Sequence, residues 1–149
     1  MTDAVFQRDS YLQQLDAVVT ALDAEFVELD KTIFYAEGGG QPGDTGRLTG
    51  VGGRSLRVID TRKGVEQGSI WHQVSGKDHG LTVGDKVELA IDWERRYRLM
   101  RMHTSMHLLG SLIPVPVTGG KVGVDKSRLD FNLGDQQLDE EWLTEQMNV

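Results

Sequence analysis

The chain has 149 residues, a formal net charge of −7 and no cysteine, which excludes disulfides and thiol nucleophiles. A composition of 38% hydrophobic and 26% charged residues is typical of a globular protein of one domain or two small ones. The first twenty residues carry Asp3, Arg8, Asp9 and Asp16 and no long apolar run. We therefore expect no signal peptide, no membrane partner and a cytoplasmic location.

Turn residues and alternating apolar positions dominate the first part of the chain. Thirteen of the 18 glycines lie between Gly38 and Gly84. Within or beside this segment, large apolar residues occupy every second position of two short runs, as in half-buried strands. These apolar residues are Leu56 and Val58 in one run, and Val87, Leu89 and Ile91 in the other. The pattern predicts a small β-barrel or a strongly bent sheet over residues 14–92, in a domain covering residues 1–92.

The loop Phe34–Gly46 contains the spacing G-x-G-x-x-G at Gly38, Gly40 and Gly43. A dinucleotide-binding fingerprint must open a helix, whereas here another strand is predicted to follow, so we reject that interpretation. Two interpretations remain. The glycines serve a wide turn with positive φ, or they expose backbone amides to a ligand while Gln41 and Thr32 offer side-chain hydrogen bonds.

After residue 92, the spacing of apolar residues changes from that of a strand to that of a helix. Apolar spacing predicts a helix from Trp93 to Ile113, with Asp92 as N-cap and Pro114 as its stop. His103 and His107 are four residues apart and therefore neighbours on one face, close enough to ligate one metal ion. The alternative is that both rings are hydrogen-bonded histidines of the core or the surface.

Positive charge is concentrated on this helix. Arg95, Arg96, Arg98 and Arg101 fall within seven residues, whereas residues 130–149 hold six carboxylates and no Lys or Arg. Such a cluster is usually a solvated helix face whose charges pair with carboxylates. The alternative is contact with nucleic-acid phosphates.

Residues 114–120 are interpreted as a linker, Leu129–Leu133 as a strand, and Leu138–Met147 as a final helix. Together with the preceding helix, these elements predict an α+β domain over residues 93–149. The fold class of the whole chain is therefore α+β.

Two motifs carry a resemblance to a known family. Thr32-Ile-Phe-Tyr-Ala-Glu-Gly-Gly-Gly-Gln-Pro-Gly-Asp-Thr-Gly is followed some sixty residues later by Arg101-Met-His-Thr-Ser-Met-His-Leu-Leu. In this order they resemble the editing domain of alanyl-tRNA synthetase and its free-standing relatives, the AlaX proteins. The resemblance continues through Lys126-Ser-Arg-Leu-Asp-Phe131. It implies an N-terminal β-barrel that carries the glycine motif, followed by an α+β editing domain.

The resemblance implies a trans-editing deacylase that hydrolyses the ester between serine or glycine and the alanine tRNA, with zinc as cofactor. Its partner is mischarged alanine tRNA, and we expect no DNA partner. The predicted substrate-binding residues are Thr32, Gly39, Gly40, Gln41 and Asp44. The predicted tRNA-binding residues are Arg95, Arg98 and Arg101. The predicted zinc ligands are His103 and His107, and no side chain is an obvious general base.

In the family, a cysteine and a histidine from a Cys-Gly-Gly-Thr-His-like segment complete the zinc site, and residues 1–149 contain no such segment. We therefore expect a truncated editing domain and zinc bound weakly or not at all in this chain. A second departure is Ala36, where the family often has proline. The alternative function is a non-catalytic tRNA-binding module related to the editing domain, and a weaker one is an unrelated metal hydrolase.

Overall fold

A computed structural model describes residues 1–148 of the chain. The chain divides into two compact units, which are described separately. The first unit consists of Met1–Gly38 and Pro42–Arg96, and the second of Gly39–Gln41 and Tyr97–Val149. The short segment Gly39–Gln41 therefore leaves the first unit and joins the second.

The first unit is built around a closed barrel of six strands, in which every neighbouring pair is antiparallel. The order around the barrel is β2, β3, β7, β6, β5 and β8, and β8 closes it by pairing with β2. A separate short pair, β1 with β4, is parallel. The strands of this unit are β1 (Asp3–Ala4), β2 (Gln14–Asp23), β3 (Phe26–Leu29), β4 (Lys31–Thr32), β5 (Gly46–Thr49), β6 (Ser55–Lys63), β7 (Ile70–Val74) and β8 (Lys86–Ile91).

Alternation of apolar and polar residues explains why these segments form strands around one core. In β8 the buried Val87, Leu89 and Ile91 alternate with more exposed positions, and Leu56 and Val58 do the same in β6. Both predicted alternating runs are thus confirmed. The predicted α+β class with a small N-terminal barrel is confirmed as well.

Helix α1 (Trp93–Leu112) follows the barrel directly. The side chain of Asp92 accepts a hydrogen bond from the Arg95 amide at 3.2 Å, so the predicted N-cap is confirmed. The helix ends two residues before Pro114, which cannot donate a backbone hydrogen bond and so disfavours its continuation. The first turn of α1 belongs to the first unit and the rest, from Tyr97, to the second.

The second unit pairs α1 with a hairpin of β9 (Val117–Lys121) and β10 (Arg128–Phe131), followed by α2 (Glu140–Met147). Asp139 caps α2, since its carboxylate accepts from the Trp142 amide at 2.9 Å. The prediction of a linker over residues 114–120 was wrong in its second half, because pairing with β10 makes a strand from Val117 onward. No helix within residues 1–148 combines the length and apolar character needed to cross a bilayer.

Candidate functional site

The glycine loop takes a conformation that favours glycine. Gly39 and Gly40 have positive φ angles of 58° and 79°, which confirms the turn interpretation for these two residues. A methyl group on Gly40 would lie 2.8 Å from the carbonyl oxygen of Gly120, too close for any Cβ. The Gly40 carbonyl accepts a hydrogen bond from the Val122 amide at 2.8 Å. The loop is therefore attached to the end of β9 by close main-chain contact.

The two candidate metal ligands are neighbours on α1, as their spacing predicts. The rings of His103 and His107 stack with centroids 5.0 Å apart and planes inclined by 18°. His103 is half-buried and His107 is exposed. The nitrogen Nδ1 of His103 lies 2.9 Å from Oε1 of Gln41, a residue 62 positions earlier in the chain. The structure thus places Gln41 beside the His103–His107 pair within the second unit.

This contact defines the chemical state of the His103 ring. The oxygen of the Gln41 amide can only accept, so Nδ1 of His103 carries the hydrogen and donates it. Burial lowers the pKa of His103, and the charge that His107 can carry lowers it further. Both effects favour the neutral ring. In that ring Nε2 has a free lone pair, which is the form in which a histidine binds a metal or accepts a proton.

An open cavity of about 680 Å³ lies beside these side chains. Its wall combines backbone of glycine residues with a few apolar side chains, so it suits a small ligand with polar groups facing main-chain amides. All lining residues belong to the second unit: Gly39, Gly40, His103, Met106, His107, Gly110, Ser111, Val117, Thr118, Gly119, Gly120 and Leu129.

Sequence reasoning missed more than half of this wall. Val117, Gly119 and Gly120 come from β9, which was predicted to be a linker, and Leu129 comes from its partner β10. The pair Gly119-Gly120 was a usable signal, because consecutive glycines outside an obvious turn indicate close approach of another backbone.

Thr32 belongs to the first unit and is completely buried. His72 Nδ1 lies 2.9 Å from the Val27 carbonyl, which only accepts, so this nitrogen donates. His72 Nε2, 2.7 Å from the Thr32 hydroxyl, then accepts from it, since burial lowers the pKa of His72 to about 4 and keeps the ring neutral. The Thr32 oxygen also accepts from the Phe34 amide at 3.0 Å. This hydroxyl thus holds the chain that leads into the glycine loop.

Asp44 is also buried in the first unit, where it pairs with Arg96. Arg96 Nε donates to Asp44 Oδ2 at 2.7 Å, and the same oxygen accepts from the Tyr35 amide at 2.9 Å. The guanidinium of Arg96 also donates to the carbonyls of Ile33 and Ser10. Interpreting Arg96 as part of a solvated basic face was therefore wrong, because a carboxylate and two carbonyls enclose it. Direct contact of Thr32 or Asp44 with a ligand stays a prediction.

The other arginines of the cluster differ from Arg96. Arg95 donates to the Gly43 carbonyl at 2.9 Å and is partly buried. Arg98 and Arg101 are exposed, and the guanidinium carbon of Arg101 lies 5.8 Å from the centre of the Tyr97 ring. Their binding to tRNA stays a prediction, with Arg98 and Arg101 the more accessible of the three.

The sequence model of the family described as tRNA synthetases class II (A) matches residues 4–95. The alanyl-tRNA editing protein AlaX-M of Methanosarcina barkeri is 43% identical over 141 residues, which cover 89% of this chain and 57% of that protein. Its counterpart in Methanosarcina mazei is 41% identical over 89% of this chain and 56% of that protein.

An alanine–tRNA ligase of Ignicoccus hospitalis is 42% identical over 137 residues, which cover 87% of this chain and 14% of the ligase. The chain thus spans about half the length of the AlaX-M proteins and a small part of the ligase. Because the family match covers more than half of the chain and includes the barrel with its glycine loop, this chain belongs to the family of class II (A) tRNA synthetases.

Proposed function

We propose that this chain carries the acyl-binding part of a trans-editing aminoacyl-tRNA deacylase, which hydrolyses the ester of serine or glycine mischarged onto the alanine tRNA. The observation that carries the proposal is the contact between Gln41 and His103, a residue that lines a glycine-walled cavity. The AlaX-M relatives, which bear the name of alanyl-tRNA editing proteins, support the same activity. A cytoplasmic location is part of the proposal, as translation takes place there.

The cavity suits a small acyl group. Hydrolysis of an ester requires that the carbonyl oxygen, on which negative charge develops, is stabilised by fixed donors. The amide nitrogen of Gln41 can only donate, and the Gly39–Gln41 segment brings backbone amides to the same wall. We assign Gly39, Gly40 and Gln41 to binding of the aminoacyl group. Thr32 and Asp44 are assigned to the same binding function through the loop that they hold.

The side chains that line the cavity supply only part of a donor set for zinc, the metal that the resemblance implies. His103 and His107 supply two imidazoles, whereas catalytic zinc sites use three protein ligands. Within residues 1–148, no group of three or more His, Asp or Glu side chains is placed to hold a metal ion. These two histidines do not make a zinc site by themselves, so we assign no step of the reaction to the metal.

The proposal is tested with residues 1–149 and purified alanine tRNA charged with serine, in the presence of excess zinc. Two quantities are measured, the affinity for the charged tRNA and the rate of serine release. We expect release faster than the spontaneous rate, and a loss of about tenfold or more in Gln41→Ala and His103→Ala. The matched control is His79→Ala, which removes a histidine of the first unit and should leave the rate unchanged.

The two measurements separate the candidate functions. Binding without serine release would support the alternative of a non-catalytic tRNA-binding module. If the chain neither binds the charged tRNA nor releases serine, both candidate functions are contradicted.

A further inference from the structure

Gly110 lies in the last turn of α1 and lines the cavity. It follows His103 by seven residues and His107 by three, so all three positions lie on one face of α1. A helical position is unusual for glycine, because glycine is among the least favourable helix residues and alanine is the most favourable.

The backbone does not require a glycine at this position. Gly110 has no positive φ angle, unlike Gly39 and Gly40. Close packing does not require it either. A methyl group on Gly110 would lie 3.5 Å from Cγ2 of Val117 and 3.6 Å from Cδ2 of Leu129, which is ordinary van der Waals contact. By comparison, a methyl group on Gly120 would lie 2.9 Å from the carbonyl oxygen of Arg128.

The effect of glycine at position 110 is therefore to leave space where another residue would have a side chain. Val117 and Leu129, the neighbours that a methyl group would touch, both line the cavity. A side chain here would fill the gap between α1 and the β9–β10 hairpin. The cavity would become smaller while the fold would gain helix propensity and apolar contact.

We infer that Gly110 is a specificity-determining residue whose missing side chain leaves room for the side chain of the bound aminoacyl group. The inference rests on the proposed function. On this basis Gly110 sets an upper limit to the acyl group, and a larger residue would restrict the site to glycine. The chemical class of ligand is an amino acid with a small side chain, esterified or amide-linked to a ribose.

The first test is of stability and does not depend on function. Gly110→Ala should raise the Tm of residues 1–149 by about 3 °C, because only helix propensity and contact change. The matched control is Thr104→Ala, an exposed position of the same helix, which should give a rise of the same sign. A lower Tm in Gly110→Ala would show that the fold requires the glycine and would overturn the inference.

The second test is of binding, with 3′-glycylamino- and 3′-serylamino-3′-deoxyadenosine as hydrolysis-resistant probes followed by NMR titration. In Gly110→Ala we expect the Kd of the seryl probe to rise about tenfold, and that of the glycyl probe less than about threefold. Gly110→Leu should abolish binding of the seryl probe, and Thr104→Ala should bind both as the wild type does. If the ratio of the Kd values for the seryl and glycyl probes were unchanged in Gly110→Leu, the inference would be overturned, but the proposed function would not. A wild-type chain that binds neither probe would overturn the proposed function, and this inference with it.

Discussion

A histidine that is completely buried has little freedom to take up a proton. His72 is enclosed in the barrel, where its two ring nitrogens are used by the Val27 carbonyl and the Thr32 hydroxyl, and the edge of its ring meets that of Phe34. A second proton on the ring would have to replace the one that Thr32 donates. Protonation of His72 therefore opposes the same hydrogen bonds that hold the start of the glycine loop.

The pH dependence of stability should report this arrangement. The unfolded chain takes up a proton on His72 near pH 6.5, whereas in the folded chain burial lowers this pKa to about 4. The contribution of neutral His72 to the free energy of unfolding is therefore fully present above about pH 6.5. It is lost as the pH falls towards 4, and the total loss is about 3 kcal/mol. Urea unfolding at pH 7 and pH 4.5 should show a smaller difference in His72→Gln than in the wild type. If the free energy of unfolding changed equally between pH 7 and pH 4.5 in the wild type and in His72→Gln, this prediction would be contradicted.

The buried ion pair between Asp44 and Arg96 makes a second prediction for single residues. Asp44→Ala leaves the guanidinium of Arg96 buried without its charge partner, which should lower the free energy of unfolding by about 3–5 kcal/mol. Urea unfolding at pH 7 measures this loss. The control is Asp3→Ala, which breaks the exposed pair of Asp3 with Arg8 and should leave the unfolding midpoint nearly unchanged. Midpoints that shift equally in the two variants would argue against a structural role for the buried pair.

At the scale of elements, the sequence predicted those segments whose own pattern determines them. Helix α1 has apolar spacing, a capping Asp92 and a stop at Pro114, so its bounds followed within one residue. Strand β9 contains Val117-Thr-Gly-Gly-Lys121, in which two glycines weaken any local preference for a strand. It is a strand because Gly120 pairs with Leu129 of β10, a tertiary contact that the alternation of apolar residues in β9 does not predict.

Helix α1 also carries the predicted contacts with tRNA phosphates, and these can be tested by salt dependence. Substituting Arg95, Arg98 and Arg101 by alanine should weaken tRNA binding and reduce the slope of log K against log salt by about one for each phosphate that is no longer neutralised. The measurement is fluorescence anisotropy of labelled alanine tRNA over a range of salt concentrations.

A control for total charge uses three barrel arginines, Arg47, Arg54 and Arg57, which are exposed. Substituting these by alanine removes the same charge and should change affinity much less. Equal losses in the two triple variants would mean that net charge, and not the surface of α1, governs binding.

For the molecule as a whole, sequence spacing and three-dimensional contact contributed different parts of the candidate site. The spacing of His103 and His107 was sufficient to predict that their rings meet, since a helix fixes the separation of residues four apart. No spacing rule joins Gln41 to His103 across 62 residues, so this contact could not be predicted from the local sequence. Arg96 was misjudged because its partner, Asp44, lies 52 residues away.

The affinity of residues 1–149 for zinc is a prediction for the chain as a whole. Because His103 and His107 are the only His, Asp or Glu side chains among the described residues that line the cavity, residues 1–149 should bind zinc weakly. Metal analysis of the purified chain should give far less than one zinc per molecule, and calorimetric titration should show affinity that disappears in His103→Ala. One tightly bound zinc per chain would show that further ligands complete the site.

The closure of the barrel has a consequence for how such a unit can be joined to other proteins. Its first and last strands, β2 and β8, are hydrogen-bonded neighbours, with Gln14 directly opposite Ala90. The points where the chain enters and leaves the barrel are therefore about 5 Å apart. A module with adjoining ends can be spliced into the loop of a host protein without stretching either partner. The adjacent ends of the barrel therefore allow it to be inserted as a single domain into chains of very different length.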